Sequence, residues 1–387
     1  MRFISATHVF DGKQFLNDNP VLVLDDEGRF VEYKSRIDID NLKLEHYEGI
    51  VCPGFVNAHC HLELSHMKGF IPEHGGLLSF AKEIIVKRKT FSPEQIQEGI
   101  MAADKFMWQN GIVAVGDISN TTDTFAVKQT SPVFYHTFIE LIGFNPEQSQ
   151  NVFALGKELQ NSANRMGLKS SLVPHAPYSV SALLMEKIDQ AVMHTKFPLS
   201  IHNQESADED LFFERKEGKF VDLYEFLKMP IGFFSESGLS SLQTYLAHLS
   251  GASNLILVHN TFTKRDDIVW ANRLHKGLYW CLCPNANLYI ENTLPTLNNF
   301  VSNNCKMIIG TDSLASNASL SITNEINALL SNMSWVKIAD ALKWATYNGA
   351  EALGITNQYG SFIKGKNAGL NHLKYKSNQL IFASKVA

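Results

Sequence analysis

Five apolar runs of this chain end in residues that could hold a metal ion or move a proton. The run "GIVCPGFVNAH" closes on His59, with His61 two residues on. Side chains at i and i+2 of a strand share a face, about 6–7 Å apart along the backbone, so two imidazoles held that way can converge on one ion. "SSLVPHAPYS" carries His175, "PLSIHNQE" carries His202 and Glu205, "NLILVHNT" carries His259, and "KMIIGTDS" carries Asp312. Three imidazoles and a carboxylate, His59, His61, His202 and Asp312, form a donor set suited to Zn²⁺ or Fe²⁺. An ion in such a set lowers the pKa of its water towards ~7. Expelling a poor leaving group such as ammonia also needs a delivered proton. Glu205, where strand gives way to loop, is placed to supply it, and His259 to hydrogen-bond the water or a developing oxyanion. Plainer alternatives stand beside these. His59 and His61 would serve as core histidines, Asp312 as the cap of a following helix, Glu205 as a rim carboxylate and His259 as a structural hydrogen-bonding group.

The elements that must position these residues follow one rhythm. From Gly49, eight strand-like runs alternate with helical patterns such as "LLSFAKEIIVKRK", "PEQIQEGIMAADKFMWQNG" and "SALLMEKIDQAVMHT". Repeated β/α alternation is the pattern of a (β/α)8 TIM barrel, in which chemistry sits at the C-terminal ends of the strands. Residues 1–48 read as short strands punctuated by Asp-Gly and Glu-Gly turns, and the last thirty or so residues return to β-like runs. The expectation is a barrel over 49–355 and a small β-sandwich domain built from 1–48 and 356–387.

Composition narrows the function classes. At 387 residues, with 45% hydrophobic and 19% charged residues and a net charge of −5, the chain has a sizeable core and no basic surface for nucleic acid. Its longest apolar runs are strand-length, far below the ~20 residues of a membrane span, and no signal peptide opens it. The five cysteines have no zinc-ribbon spacing and read as reduced thiols of a cytoplasmic protein, with Cys281 and Cys283 as small core residues. "KRK" at Lys87–Lys89 reads as a solvated helix face. No glycine-rich phosphate loop follows a strand.

Taken together, "PGFVNAHCHLELS", "HAPYSVS", "HNQES", "VHNT", "CPNANLYI", "GTDSLASN" and "ATYNGAEALG" resemble the amidohydrolase superfamily, in its cytosine deaminase-like branch of nucleoside and heterocycle aminohydrolases. The resemblance implies His59, His61, His202 and Asp312 as ligands of one metal, Glu205 as proton shuttle, His259 beside the water and His175 as a substrate contact. Binuclear members carry a lysine at the end of strand four. Here that strand reads "LVPHAPYS", which implies a mononuclear site. Glu140 and Glu63 are further candidates to line the pocket. The implied reaction converts an amino-substituted heterocycle to its oxo form with release of ammonia. Hydrolysis of a cyclic amide, or a chlorohydrolase-type displacement, is the alternative on the same machinery. "HLELS" and "HAPYSVS" resemble deaminases of adenosine-type nucleosides, including aminodeoxyfutalosine. The polar loop from Leu62 to Phe80 suits a substrate larger than a bare base. The partner expected is a small molecule, with neither nucleic acid nor membrane, and a homodimer is the candidate assembly.

Overall fold

The computed structural model describes residues 1–39, 43–193 and 195–387. The chain enters through β1 (Arg2–Val9), β2 (Val21–Leu24), β3 (Phe30–Lys34) and β4 (Leu44–Pro53). It then runs through eight barrel strands: β5 (Phe55–Cys60), β6 (Ile112–Ser119), β7 (Phe134–Leu141), β8 (Lys169–Pro174), β9 (Leu199–Asn203), β10 (Leu255–His259), β11 (Leu278–Leu282) and β12 (Lys306–Ile309). β13 (Leu370–Lys376) and β14 (Gln379–Lys385) finish it. The termini share one six-stranded sheet of order β14-β13-β4-β1-β2-β3, in which β13 runs antiparallel to β4 from Leu370↔Pro53 to Leu373↔Ile50.

The apolar run expected as one strand, 49–59, is therefore two. Ile50–Pro53 belongs to the terminal sheet and Phe55–Cys60 to the barrel. Gly54 divides them because nothing larger fits: a Cβ there would lie 2.3 Å from Val113 Cγ1. "GSFIKGK" forms no strand, and "LQTYLAHLSG" gives only a short helix, Ser241–Tyr245, and a 3-10 turn.

The barrel strands are buried at almost every position, as parallel strands sandwiched between side-chain core and outer helices must be. They form two parallel arcs, β5-β6-β7-β8 and β9-β10-β11-β12. Both seams are tied at residues of the predicted site. His202 N–H donates to His175 O at 2.9 Å, and the N–H groups of Thr311 and Asp312 donate to His59 O at 3.0 and 3.1 Å. An aromatic cluster including Phe144, Tyr178, Phe212, Phe220 and Tyr224 packs beside His175, joined by Leu77 and Leu78. Among the described residues no helix is long and apolar enough to cross a membrane.

Candidate active site

β5 delivers His59 from its fifth position, but its pairing with β6 shifts register between Asn57 and Cys60. A bulge of this kind re-aims a side chain. His61 lies beyond the strand, immediately before the 3-10 turn Leu62–Met67. The two imidazoles thus do not share a strand face, contrary to the expectation from their i, i+2 spacing. They meet because the chain turns, and their Nε2 atoms lie 3.1 Å apart. His61 Nε2 is also 3.3 Å from His202 Nε2 and 3.4 Å from Asp312 Oδ1, and His59 Nε2 is 3.5 Å from Asp312 Oδ1.

These spacings suit a metal. Four donors each 2.0–2.1 Å from a central ion, arranged tetrahedrally, are about 3.3–3.4 Å from one another. The donor atoms are also in the right state. His202 Nδ1 lies 2.7 Å from His175 O, which can only accept, so Nδ1 carries the proton and Nε2 turns a bare lone pair inward. Burial lowers the pKa of His202 well below the ordinary imidazole value, with the neighbouring His175, His59 and His259 adding to it, and pushes His61 down to about 3. The bare Nε2 of His202, packed among these atoms, is a lone pair that a cation would satisfy. Burial pushes the Asp312 carboxyl up, but the hydrogen bond from His59 and the imidazoles of His61 and His259 outweigh it and hold the group well below the usual carboxylate range. Its Oδ2 accepts the Ser316 hydroxyl.

Glu205 lies three residues past His202, 5% exposed. Burial, with Asp312 and Glu291 nearby, raises its pKa well above the usual carboxylate value, which favours the protonated form. Its Oε1 is 3.6 Å from His259 Nε2, and the other ring nitrogen of His259 donates to Asn287 Oδ1 at 2.9 Å. Three backbone positions here sit in the left-handed region without being glycine: Gln204 at φ 42°, His259 at 72° and Asp312 at 56°. Such strain clusters at sites where the surrounding structure over-determines it. At Gln204 the restraints are visible. Its N–H donates to Glu209 Oε1 at 3.1 Å, and its side-chain amide donates to Asp210 Oδ1 at 2.9 Å and Asp267 Oδ2 at 3.0 Å.

Around this cluster stand the three residues expected to meet substrate. His175 Nδ1 is engaged by Ser179 Oγ at 2.6 Å, and burial pushes its pKa down to about 4. Glu63 has both oxygens occupied, by Arg88 Nη2 at 3.1 Å and by Asn120 N–H at 2.9 Å. Arg88 is thereby turned inward out of the "KRK" run, which is not simply a solvated face. Glu140 accepts from Asn120 Nδ2 at 2.9 Å through Oε2, while its buried Oε1 has no hydrogen-bond partner and lies 3.8 Å from His202 Nδ1. Burial pushes Glu63 and Glu140 each up to about 7. A polar cleft of about 300 Å³ is lined by Gly75–Ser79, Ser206, Asp208, Lys219 and Glu291, and by none of the site residues themselves. The sequence reading missed Asn287, Ser316, Asn120 and Arg88. "CPNANLYI" stood out in the sequence, but nothing local marked Asn287 as the partner of His259.

The amidohydrolase family profile matches residues 50–387. An adenosine deaminase of Helicobacter pylori is 28% identical over 327 residues, 82% of this chain and 78% of that protein. The crystal structure of H. pylori aminofutalosine deaminase in complex with methylthio-coformycin superposes with a TM-score of 0.81 at 26% identity, covering 97% of this chain and 93% of that one. An adenosine deaminase from Xanthomonas campestris with bound zinc shares the fold, with a TM-score of 0.75 at 22% identity over 97% of this chain and 85% of that one. With the family matched over most of its length and a His/Asp donor cluster at the C-terminal ends of its barrel strands, the chain belongs to the amidohydrolase family and is a hydrolase acting on C–N bonds, with deaminases among its relatives.

Proposed function

We propose that the chain deaminates an adenosine-type nucleoside, replacing the exocyclic amine of the purine with oxygen and releasing ammonia. The observation that carries this is the buried Glu205 carboxyl, 3.6 Å from His259 Nε2, beside the converging donor atoms of His59, His61, His202 and Asp312. His59, His61, His202 and Asp312 would hold one divalent cation, zinc in this reading. Its chemistry, when bound, is Lewis acidity and an acidified water. Glu205 gives its proton to the ring nitrogen beside the carbon under attack. Asp312, kept ionised by its imidazole neighbours, accepts a proton from the attacking water. His259 donates through Nδ1 to Asn287, so its Nε2 is an acceptor that orients the water rather than a donor to an oxyanion. Asp312 passes its proton to the amine, which leaves as ammonia, while Glu205 takes back a proton from the new hydroxyl to give the oxo product.

A nucleoside rather than a free base is supported by the adenosine and aminofutalosine deaminases to which the chain is similar. Glu140 Oε1, buried and unpartnered, offers an acceptor for a hydroxyl or N–H of the substrate, and His175 lies beside it. Five free cysteines fit a reducing compartment, the cytoplasm.

The test is ammonia release by purified zinc-loaded protein. The panel is adenosine, 5′-deoxyadenosine, 5′-methylthioadenosine, S-adenosylhomocysteine, aminodeoxyfutalosine, adenine, cytosine and a chloro-triazine. At least one nucleoside is expected to exceed adenine in kcat/KM by tenfold or more. Faster turnover of a free base, or chloride release with no ammonia from any nucleoside, would refute the reading.

A further inference from the structure

A lysine with no exposed side-chain surface is packed between the barrel strands and an outer helix. Lys128, in the short helix Phe125–Thr130, reaches Asp117 Oδ2 at 2.6 Å, Ser119 Oγ at 2.8 Å and Thr137 Oγ1 at 3.3 Å. The ammonium donates hydrogen bonds to the two hydroxyls and is ion-paired with the carboxylate. Asp117, on β6, is equally buried, and its other oxygen accepts the backbone N–H of Leu62 at 2.7 Å.

That N–H belongs to the first residue after His61. Leu62 opens the 3-10 turn Leu62–Met67, for which His61 supplies no side-chain cap. Asp117 provides the missing acceptor from the neighbouring strand. It does so where the β5–β6 register shifts, so the regular ladder does not fix the chain as it leaves β5. Taking two ions out of water is costly, and apolar pairs of similar volume often replace buried ion pairs without loss of stability. The ion pair therefore calls for another explanation. A carboxylate is a stronger acceptor than a neutral group, and a buried carboxylate needs a counter-ion.

We propose that Asp117, anchored by Lys128, is a positioning residue: it pins the turn after His61 and so sets how His59 and His61 meet. The proposal rests on the reading of these histidines as metal ligands. It touches neither substrate nor ion.

The test measures zinc affinity by chelator competition, the visible spectrum of the cobalt-substituted protein, and the thermal midpoint of the metal-free protein. In Asp117→Asn the amide has one oxygen for two donors. It turns to the lysine, and its NH₂ then confronts Leu62 N–H. Zinc affinity is expected to fall about 10- to 100-fold, the usual cost of losing support behind a ligand, with an altered cobalt spectrum. Adding Lys128→Met frees the amide oxygen for Leu62, and affinity should return to within about threefold of wild type. The apolar pair Asp117→Leu with Lys128→Met lacks any acceptor and should bind zinc as weakly as Asp117→Asn alone, with a metal-free midpoint near that of the rescued double variant. Should Asp117→Asn alone not fold, the comparison of the two double variants decides. Failure of Lys128→Met to rescue, or equal zinc affinity in the two double variants, overturns the proposal. Wild-type protein that binds no zinc would instead remove the ligand reading, and this proposal with it.

Discussion

Gly310→Ala tests whether His59 stands where a ligand must. Gly310 follows β12 and packs against the backbone of His59. A Cβ added there would lie 2.8 Å from both His59 Cβ and His59 O, and 3.0 Å from Cys281 Sγ. Its φ is not in the left-handed region, so alanine adds no backbone strain of its own. Carbon atoms pack at about 3.5 Å, so the strand end and His59 must part by about 0.7 Å. With Cys281 behind the new methyl and the N–H of Gly310 tied to Leu282 O at 2.9 Å, most of that shift falls on His59. It is about a third of a zinc–nitrogen bond length. Overpacking of this kind costs about 1–3 kcal/mol, and a misplacement approaching 1 Å costs on the order of 10²-fold in rate. The assays are the thermal midpoint of metal-free and zinc-loaded protein, zinc affinity and ammonia release. The metal-free midpoint should drop by a few degrees, the gain in midpoint on adding zinc should shrink, and kcat/KM should fall by about two orders of magnitude. A variant with unchanged zinc affinity and more than about a third of wild-type kcat/KM would refute the reasoning.

Elemental analysis should find one transition-metal equivalent per chain, and chelation should abolish turnover until zinc is returned; two equivalents would mean that the second group of possible donors, Glu140, His175 and His202, also holds an ion. Glu205→Gln should keep the metal and lose about 10²–10⁴-fold in kcat, since an amide cannot carry the proton, and a variant with over a tenth of wild-type rate would move the shuttle elsewhere. His175→Ala should raise KM for a nucleoside more than it lowers zinc content, and an unchanged KM would leave the ring only its bond to Ser179. The stability contributed by Glu209 should be lost as pH rises from about 5 to 8, because burial pushes its pKa up to about 8, with Asp210 and Glu205 adding to it. The folded state binds this proton more tightly than the unfolded one, so the contribution is complete below the unfolded value of 4.5 and is lost towards the folded one. Glu209→Gln should flatten the dependence of thermal midpoint on pH, and an unflattened profile would assign it to other groups.

The barrel was legible because its signal is local. Eight apolar runs of strand length, each followed by a helical pattern, state a connection order, and the fold then directs attention to the strand ends where His59, His202, His259 and, just beyond β12, Asp312 are found. The division at Gly54 was not legible, because the apolar run continues through it and only the contact with Val113, far along the chain, forces glycine there. The position of His61 was misread for a related reason. Strand periodicity was extended past Cys60, while the register shift against β6 and the turn beginning at Leu62 depend on a neighbouring strand.

What escaped the sequence reading is the set of groups that hold the site residues in place. Asn287 orients His259, Ser316 bonds Asp312, and the carbonyl of His175 fixes the tautomer of His202. Arg88 and Lys128 are the sharpest cases, since a cation in a polar stretch is ordinarily solvated. Here one meets Glu63 and the other is sealed inside with Asp117. Neither has a periodicity or a motif to give it away. Each is explained only by the carboxylate it neutralises, and both carboxylates accept a backbone N–H at a loop beside the site, Asn120 for Glu63 and Leu62 for Asp117. The division is physical. Donor atoms must be of particular types and so leave a trace in composition at strand ends, whereas any residue that supplies a backbone N–H can be pinned, and the group that pins it is chosen by proximity in the folded chain.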